Sequence, residues 1–218
     1  MILYFTGIDG SGKTTIINNI ERQLNKQNIK TLRIWARYSP RLSKMIVNIL
    51  KKRTVNNAEN YNTISEHDYT KWQLRKKKLA HNNLVRQVVF TFFFFEYYFQ
   101  ILEVIRKIRK NNEKVILIDR FVIDFLADQT VNFSDLSGTR IYRRLIKICD
   151  SFDAIFFISV KPEVALGRKS DIPGIDYLNE RDQAYRDIIK RLKNGYIIDN
   201  NGPQDLAIRE IVKVIQLK

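Results

Sequence analysis

The chain has 218 residues, 44% of them hydrophobic, and a formal net charge of +15. This length and apolar content suit one domain with a sizeable core, so we expect a single domain over residues 1–218. The one cysteine, Cys149, excludes an internal disulfide framework and fits a reducing cytosol, so we expect a cytoplasmic protein. The histidines, His67 and His81, have no Cys or His neighbours at metal-ligand spacing.

The basic residues are spread along the chain rather than gathered in one segment. Solvated helical faces explain most of them, and a basic surface also attracts phosphorylated small molecules. A nucleic-acid-binding or regulatory NTP-binding module is therefore kept as an alternative. We do not expect nucleic acid to be the main partner.

The first predicted strand, Ile2–Thr6, leads into a glycine-rich loop, and because the strand starts the sequence we expect no signal peptide. Residues 7–14 match the pattern G-x-x-x-x-G-K-[ST], and they hold three of the chain's eight glycines. A helix follows, because Ile16, Ile20 and Leu24 recur four residues apart. A loop between a strand and a helix is the setting in which this motif cradles phosphate groups. The predicted ATP ligands are Gly7, Ile8, Asp9, Gly10, Ser11, Gly12, Lys13, Thr14 and Thr15.

Two side chains of this motif have distinct roles. Lys13 would place its ammonium group between the β- and γ-phosphates, and the Thr14 hydroxyl would bind a Mg²⁺ ion that bridges the same phosphates. The sequence therefore predicts ATP and Mg²⁺ as cofactors, but it does not identify the acceptor.

Four further strands alternate with helical patterns, which predicts an α/β fold with a parallel sheet covered by helices on both faces. They are Thr31–Trp35, Lys114–Ile118, Ala154–Ser159 and Gly195–Ile198. Ligands bind at the carboxyl ends of such strands, where this chain places charged residues. These residues are Arg37, Asp119, Arg120, Lys161 and Asp199. Asp119 could hold Mg²⁺ or orient a nucleophile, and Arg120 could bind an acceptor phosphate.

The aromatic segment from Val88 to Phe99 is the one stretch that resembles a membrane element. It is too short to span a bilayer, and Glu96, Gln100 and Glu103 interrupt its continuation. We predict a buried helix that is apolar on nearly all sides and could lie at a subunit interface, with a strand as the alternative. Residues 53–70, rich in Asn, Thr and Ser, are predicted to be irregular.

Together these residues resemble the thymidylate kinase family of P-loop nucleotide kinases. The matching parts are residues 5–15, Asp119-Arg120-Phe121, residues 161–168, Tyr185 and Asp199. The resemblance implies a three-layer α/β/α P-loop NTPase fold, with a five-stranded parallel sheet and a helical lid over about residues 167–182. It also implies an ATP-dependent phosphotransferase that acts on a nucleoside monophosphate such as dTMP, with a homodimer as the assembly.

The resemblance also implies roles for single residues. Asp9 would contact the acceptor's sugar or the metal environment, and Asp119 would lie near the metal and the acceptor. Arg37 and Arg120 would bind the acceptor phosphate. The phosphate loop has no arginine, so the lid would supply the cation for the transferring phosphoryl group. Its candidates are Arg168, Lys169 and Arg181.

Residues 92–100 depart from the family pattern, because they contain aromatic side chains but no arginine to bind a thymine base. Tyr97 and Tyr98 are the candidates for binding the acceptor there. The departure keeps a second enzyme open, a P-loop kinase for another small molecule such as a nucleoside or a sugar.

Overall fold

The computed structural model describes residues 1–40, 71, 74, 76, 78, 81–133, 136–169 and 171–217. The predicted irregular segment 53–70 lies outside the described residues. In chain order, the described elements are β1 (Ile2–Thr6), α1 (Lys13–Lys26), β2 (Thr31–Trp35), α2 (Asn83–Lys110), β3 (Val115–Asp119), α3 (Val122–Phe133), α4 (Arg140–Cys149), β4 (Ala154–Ser159), α5 (Pro162–Arg168), α6 (Ile175–Ile189), β5 (Gly195–Asp199) and α7 (Gln204–Gln216).

The five strands form one parallel sheet in the order β2-β3-β1-β4-β5. Side chains alternate across it: Leu3 and Phe5 of β1 join one buried cluster with α1 and α7, whereas Tyr4 joins the cluster on the opposite face. That second cluster contains residues of α2, α3, α4 and α6. The predicted three-layer α/β/α fold with a five-stranded parallel sheet is confirmed.

Two strands end one residue later than predicted, which moves two acidic residues into the sheet. Asp119 is the last residue of β3, and Asp199 is the last residue of β5. Both still lie at the carboxyl edge of the sheet. Because β1 lies between β3 and β4, its carboxyl end faces the crevice in which such sheets bind ligands.

The sequence analysis did not identify α3. Its first six residues, 122–127, are all buried, so this helix lacks the apolar stripe with a polar opposite face by which a helix is found in a sequence. The helix matters for the site because it begins directly after Arg120 and packs against α6.

The helix predicted for the aromatic segment is present, as part of α2, a helix of 28 residues. The expected burial was wrong for one face of this helix, which is exposed. Phe90, Tyr97 and Ile101 are buried in the core, whereas Phe99 is 70% exposed. The exposed apolar residues recur at spacings of three and four: Leu84, Val88, Phe92, Phe95 and Phe99. The homodimer implied by the family resemblance stays a prediction.

Helix α2 is also relevant to the expectation that the chain has no membrane-spanning helix. Among the described helices, only α2 has a segment (Arg86–Lys110) that is long and apolar enough to cross a bilayer, judged by length and composition alone. The premise that this segment is too short was therefore wrong. The inner face of α2 packs onto the sheet's helical layer, where the ring of Tyr97 stacks on that of Phe125 at 4.4 Å. A mostly buried core helix passes the same length test, but only 22% of the apolar window of α2 is buried.

Candidate phosphate-binding site

The glycines of the loop allow its backbone to curl between β1 and α1. Gly10 and Gly12 have φ values of 80° and 85°, which residues with a Cβ rarely adopt. A Cβ on Gly10 would lie 2.5 Å from the carbonyl oxygen of Ala165 in α5. The segment that begins at Pro162 therefore packs its backbone directly against the loop, which explains why a glycine is needed opposite Ala165.

This contact gives a test of the loop's geometry. We expect Gly10→Ala to lower the free energy of unfolding by about 2–5 kcal/mol, because it combines a left-handed backbone with a backbone clash. Urea denaturation measures the change. Gly138→Ala is the matched control, since a Cβ there meets no atom within 4 Å. Equal stability of the two variants would contradict the described loop.

Lys13 lies under the loop and is 6% exposed. Its Nζ donates hydrogen bonds to the carbonyl oxygens of Gly7 at 2.8 Å and Ile8 at 2.7 Å, and to Ser11 Oγ at 3.1 Å. Burial lowers the pKa of Lys13 to about 7, and the neighbouring Arg120 acts in the same direction. A phosphate anion would supply the counter-charge that this buried ammonium group needs.

Arg120 is the second buried cation at the loop. Its backbone has a φ of 64°, and its N–H donates to the carbonyl of Phe5 at 3.0 Å. Its Nη2 donates to Asp9 Oδ1 at 2.6 Å, and its Nη1 donates to Asp124 Oδ1 at 3.0 Å. Burial would lower the pKa of Arg120, but Asp124 and other acidic neighbours outweigh burial and raise it. The guanidinium group is therefore charged and held at both ends.

Asp9 lies between the phosphate loop and α6, the helix that contains part of the predicted lid. Its Oδ2 accepts a hydrogen bond from the hydroxyl of Tyr177 in α6 at 3.2 Å. Burial alone would raise the pKa of Asp9, yet Arg120, Arg37 and Lys13 hold it below its usual range. The carboxylate is therefore ionised, and it connects the phosphate loop to the predicted lid.

Arg37, which follows β2, faces the same space. It is half-buried, and the carboxylates of Asp128 and Asp9 raise its pKa against the effects of burial and of Arg120. Arg37 and Arg120 therefore share acidic neighbours, and their binding of an acceptor phosphate stays a prediction. Asp128 of α3 was not predicted.

The lid candidates are dispersed. Arg181 of α6 donates to Asp128 Oδ1 at 3.1 Å and lies 3.6 Å from the ring centroid of Tyr177, so it borders the space near Arg37. Arg168 instead donates to the carbonyl of Asn200 at 3.2 Å, and Lys169 pairs with Asp171 at 3.1 Å. The structure places Arg181 beside Asp128 and Tyr177, and Arg168 near the end of β5.

Asp119 is paired with a residue that the sequence analysis did not identify. Its Oδ2 lies 2.5 Å from Nη2 of Arg33, which comes from the middle of β2. Arg33 also donates to Asn18 Oδ1 of α1 at 2.7 Å. Asp119 thus lies beside the phosphate loop on the α1 side of the sheet, with one carboxylate oxygen bonded to an arginine.

The residues predicted to bind Mg²⁺ are Thr14 and Asp119. Within the part of the chain that the structure describes, no group of three or more His, Cys, Asp or Glu side chains could hold a metal ion. Mg²⁺ at nucleotide sites takes one or two protein ligands and completes its shell with phosphates and water. Thr14, exposed at the start of α1, and Asp119, at the carboxyl end of β3, carry the kinds of oxygen ligand that such a site uses.

The tyrosines predicted for the acceptor lie on different sides of α2. Tyr97 is fully buried, and its hydroxyl has no hydrogen-bond partner among the residues that the structure describes. Its ring contacts those of Tyr38 and Phe125, and the Tyr38 hydroxyl donates to Glu96 Oε2 at 2.7 Å. Tyr98 instead points to a groove against α4, lined by Arg144 and Ile148. The structure does not bring Tyr98 to the phosphate loop.

The parallel sheet, the phosphate loop and the arginines at its edge define the fold of a P-loop kinase. The sequence model of the adenylylsulphate kinase family matches residues 1–36, which run from β1 through the loop to β2. No curated protein sequence matches the chain significantly.

Two solved structures of thymidylate kinases are similar to the whole chain. The enzyme from Candida albicans has a TM-score of 0.61 at 14% identity, over 99% of this chain and 91% of that one. The enzyme from Ehrlichia chaffeensis has a TM-score of 0.55 at 18% identity, over 99% of this chain and 98% of that one. The resemblance to thymidylate kinases is therefore confirmed at the level of the fold.

Proposed function

We propose that this chain is a nucleoside monophosphate kinase, which transfers the γ-phosphoryl group of ATP to a nucleotide such as dTMP. One observation carries the proposal. Lys13 Nζ and Arg120 Nη1 donate to the same atom, the carbonyl oxygen of Gly7, at 2.8 and 3.4 Å. A cation suited to the donor phosphates thus lies beside a cation suited to an acceptor phosphate.

The residues around Lys13 and Arg120 can take separate roles in phosphoryl transfer. The loop N–H groups and Lys13 would bind the β- and γ-phosphates, while Arg120 and Arg37 would hold the acceptor's own phosphate. Mg²⁺, held by Thr14 and Asp119, would neutralise charge on the ATP phosphates. Arg168, Lys169 or Arg181 would meet the charge that builds up on the transferring group.

A second candidate function is the phosphorylation of a different small acceptor. Residues 92–100 of α2 provide aromatic rings and Glu96 rather than an arginine. The match of residues 1–36 to the adenylylsulphate kinase family points to a P-loop kinase without specifying a nucleoside monophosphate. Both observations leave the identity of the acceptor open. Neither changes the proposal that ATP binds at the phosphate loop and donates the phosphoryl group.

A substrate panel tests the proposal. Purified protein with ATP and Mg²⁺ is given nucleoside monophosphates, nucleosides, sugars and adenylylsulphate, and ADP release is measured. We expect turnover of at least one monophosphate, with no turnover of the corresponding nucleoside, because Arg120 and Arg37 need a phosphate to bind. Turnover of nucleosides or sugars alone would favour the second candidate. Steeply salt-dependent binding to long DNA or RNA, without any phosphorylation, would contradict both.

A further inference from the structure

Asp124 is a buried carboxylate that lies behind Arg120 and outside the loop. It is 2% exposed and belongs to the first turn of α3. Five donors converge on its two oxygens. They are Tyr4 Oη at 2.7 Å, Thr6 Oγ1 at 3.1 Å, Phe121 N at 3.0 Å, Arg120 Nη1 at 3.0 Å and Tyr185 Oη at 2.8 Å.

The two oxygens of Asp124 have different partners. Oδ2 accepts from β1 (Tyr4 and Thr6) and from the backbone of Phe121. Oδ1 accepts from Arg120 and from Tyr185 of α6. Oδ2 thus fixes the carboxylate to the sheet, while Oδ1 holds one edge of the arginine.

The other edge of Arg120 is in a different environment. Its Nη2 contacts Asp9 Oδ1, and the Asp9 side chain is 16% exposed, whereas that of Asp124 is 3% exposed. An incoming anion can reach the Asp9 edge, because Asp9 belongs to the phosphate loop. The Nη1 edge is already occupied, because it donates to Asp124 Oδ1 at 3.0 Å and to the carbonyl oxygen of Gly7 at 3.4 Å.

We propose that Asp124 is a positioning residue, which fixes the Nη1 edge of Arg120 so that the Nη2 edge is presented to the acceptor phosphate. Asp9 is the exchangeable partner of that edge and gives it up to the phosphate. This inference rests on the proposed function for the identity of the acceptor, but its physical content is the binding of an anion.

The arrangement explains why a charged group is buried at this position. A guanidinium group on a flexible side chain loses rotamer freedom when it binds a phosphate in one geometry. Asp124 holds the group before binding, and the left-handed backbone of Arg120, with a φ of 64°, aims it toward the loop. Tyr185 places a residue of the lid helix on the same carboxylate oxygen.

The test compares a substitution of the carboxylate itself with one that removes a single hydrogen bond to its Oδ2. Asp124→Asn removes the charge that holds Arg120, and we expect the KM for the accepted monophosphate to rise about 10- to 100-fold, with the KM for ATP within about twofold. Thr6→Val removes a bond to Oδ2 only. We expect it to lower Tm and leave the monophosphate KM unchanged. If both variants changed Tm and KM in parallel, Asp124 would be merely structural and the proposal would be overturned.

A second variant keeps the proposal testable if Asp124→Asn does not fold. Asp9→Asn weakens the competition for Arg120 Nη2, so it should bind inorganic phosphate more tightly than the wild type, by about threefold or more. Calorimetry with ADP and Mg²⁺ present, to fill the donor loop, measures this. Inorganic phosphate is used because it has no sugar for Asp9 to contact. Weaker or equal phosphate binding by Asp9→Asn would overturn the proposal.

Different results would contradict the proposed kinase function and the positioning role of Asp124. If the wild type phosphorylates no monophosphate but still binds phosphate in a manner that depends on Asp124, the proposed function fails and the positioning role stands. If monophosphates are phosphorylated and Asp124→Asn leaves their KM unchanged, the function stands and the positioning role is overturned.

Discussion

Lys13→Ala is expected to lower kcat for phosphoryl transfer by at least about 10²–10³-fold, the usual loss when one fixed donor to a transition-state charge is removed. Lys13 is enclosed by Gly7, Ile8 and Ser11, so solvent cations cannot easily replace it. The variant should fold, because alanine at this position removes a buried charge rather than leaving one unpaired. Steady-state kinetics with the best monophosphate of the panel measures the loss.

The matched control is Lys26→Ala, which removes an exposed lysine from the last turn of the same helix. It should leave kcat and both KM values within about twofold. Near-normal turnover by Lys13→Ala, or an equal loss in both variants, would contradict the assignment of the phosphate loop as the donor site.

The sheet could be predicted because each strand carries a local signal. Runs such as Ile2–Thr6 and Ala154–Ser159 are apolar and β-prone, and both were predicted with the bounds that the structure has. Helix α1 was found because its apolar residues repeat on one face. Helix α3 was missed because its first six residues are all buried, polar Asp124 included, so the sequence has no apolar stripe with a polar opposite face to detect.

The phosphate loop and Arg120 could be identified for a geometric reason. Parallel strands bring their carboxyl ends to one edge, so residues after β1 and β3 are neighbours whatever their separation in sequence. Asp124 and Tyr177 were not identified, because their side chains reach the site from helices. Nothing in the sequence states that α6 packs on α3, which is what brings Tyr177 to Asp9.

The partner of Arg33 could not be predicted from the sequence. A charged residue inside a strand predicts only that its side chain avoids the core, whereas the partner depends on which strand lies beside it. Strand β2 pairs with β3 in a register that places Arg33 opposite Leu117, two residues before Asp119. Helix α2 shows the same limit for apolar residues, since composition predicts burial but not which face remains exposed.

Arg120→Ala is expected to have two large effects that can be separated. It leaves the buried carboxylate of Asp124 without its cation, so we expect the free energy of unfolding to fall by about 3–5 kcal/mol. It also removes the cation for the acceptor phosphate, so the monophosphate KM should rise by about 100-fold or more while ATP affinity stays within about threefold. Urea denaturation measures the first effect, and steady-state kinetics with calorimetry measures the second.

Two further variants separate the effect on stability from the effect on acceptor binding. Arg120→Lys keeps the charge but cannot bridge Asp9 and Asp124 as a planar guanidinium group does, so stability should recover in part while the monophosphate KM stays high. Arg186→Ala removes a half-buried arginine of α6 that contacts Asp182 and Ser159 instead of the phosphate loop. It should reduce stability without changing the KM. If Arg120→Ala abolished ATP binding instead, Arg120 would belong to the donor site, and the acceptor would have to be held by Arg37 and the lid.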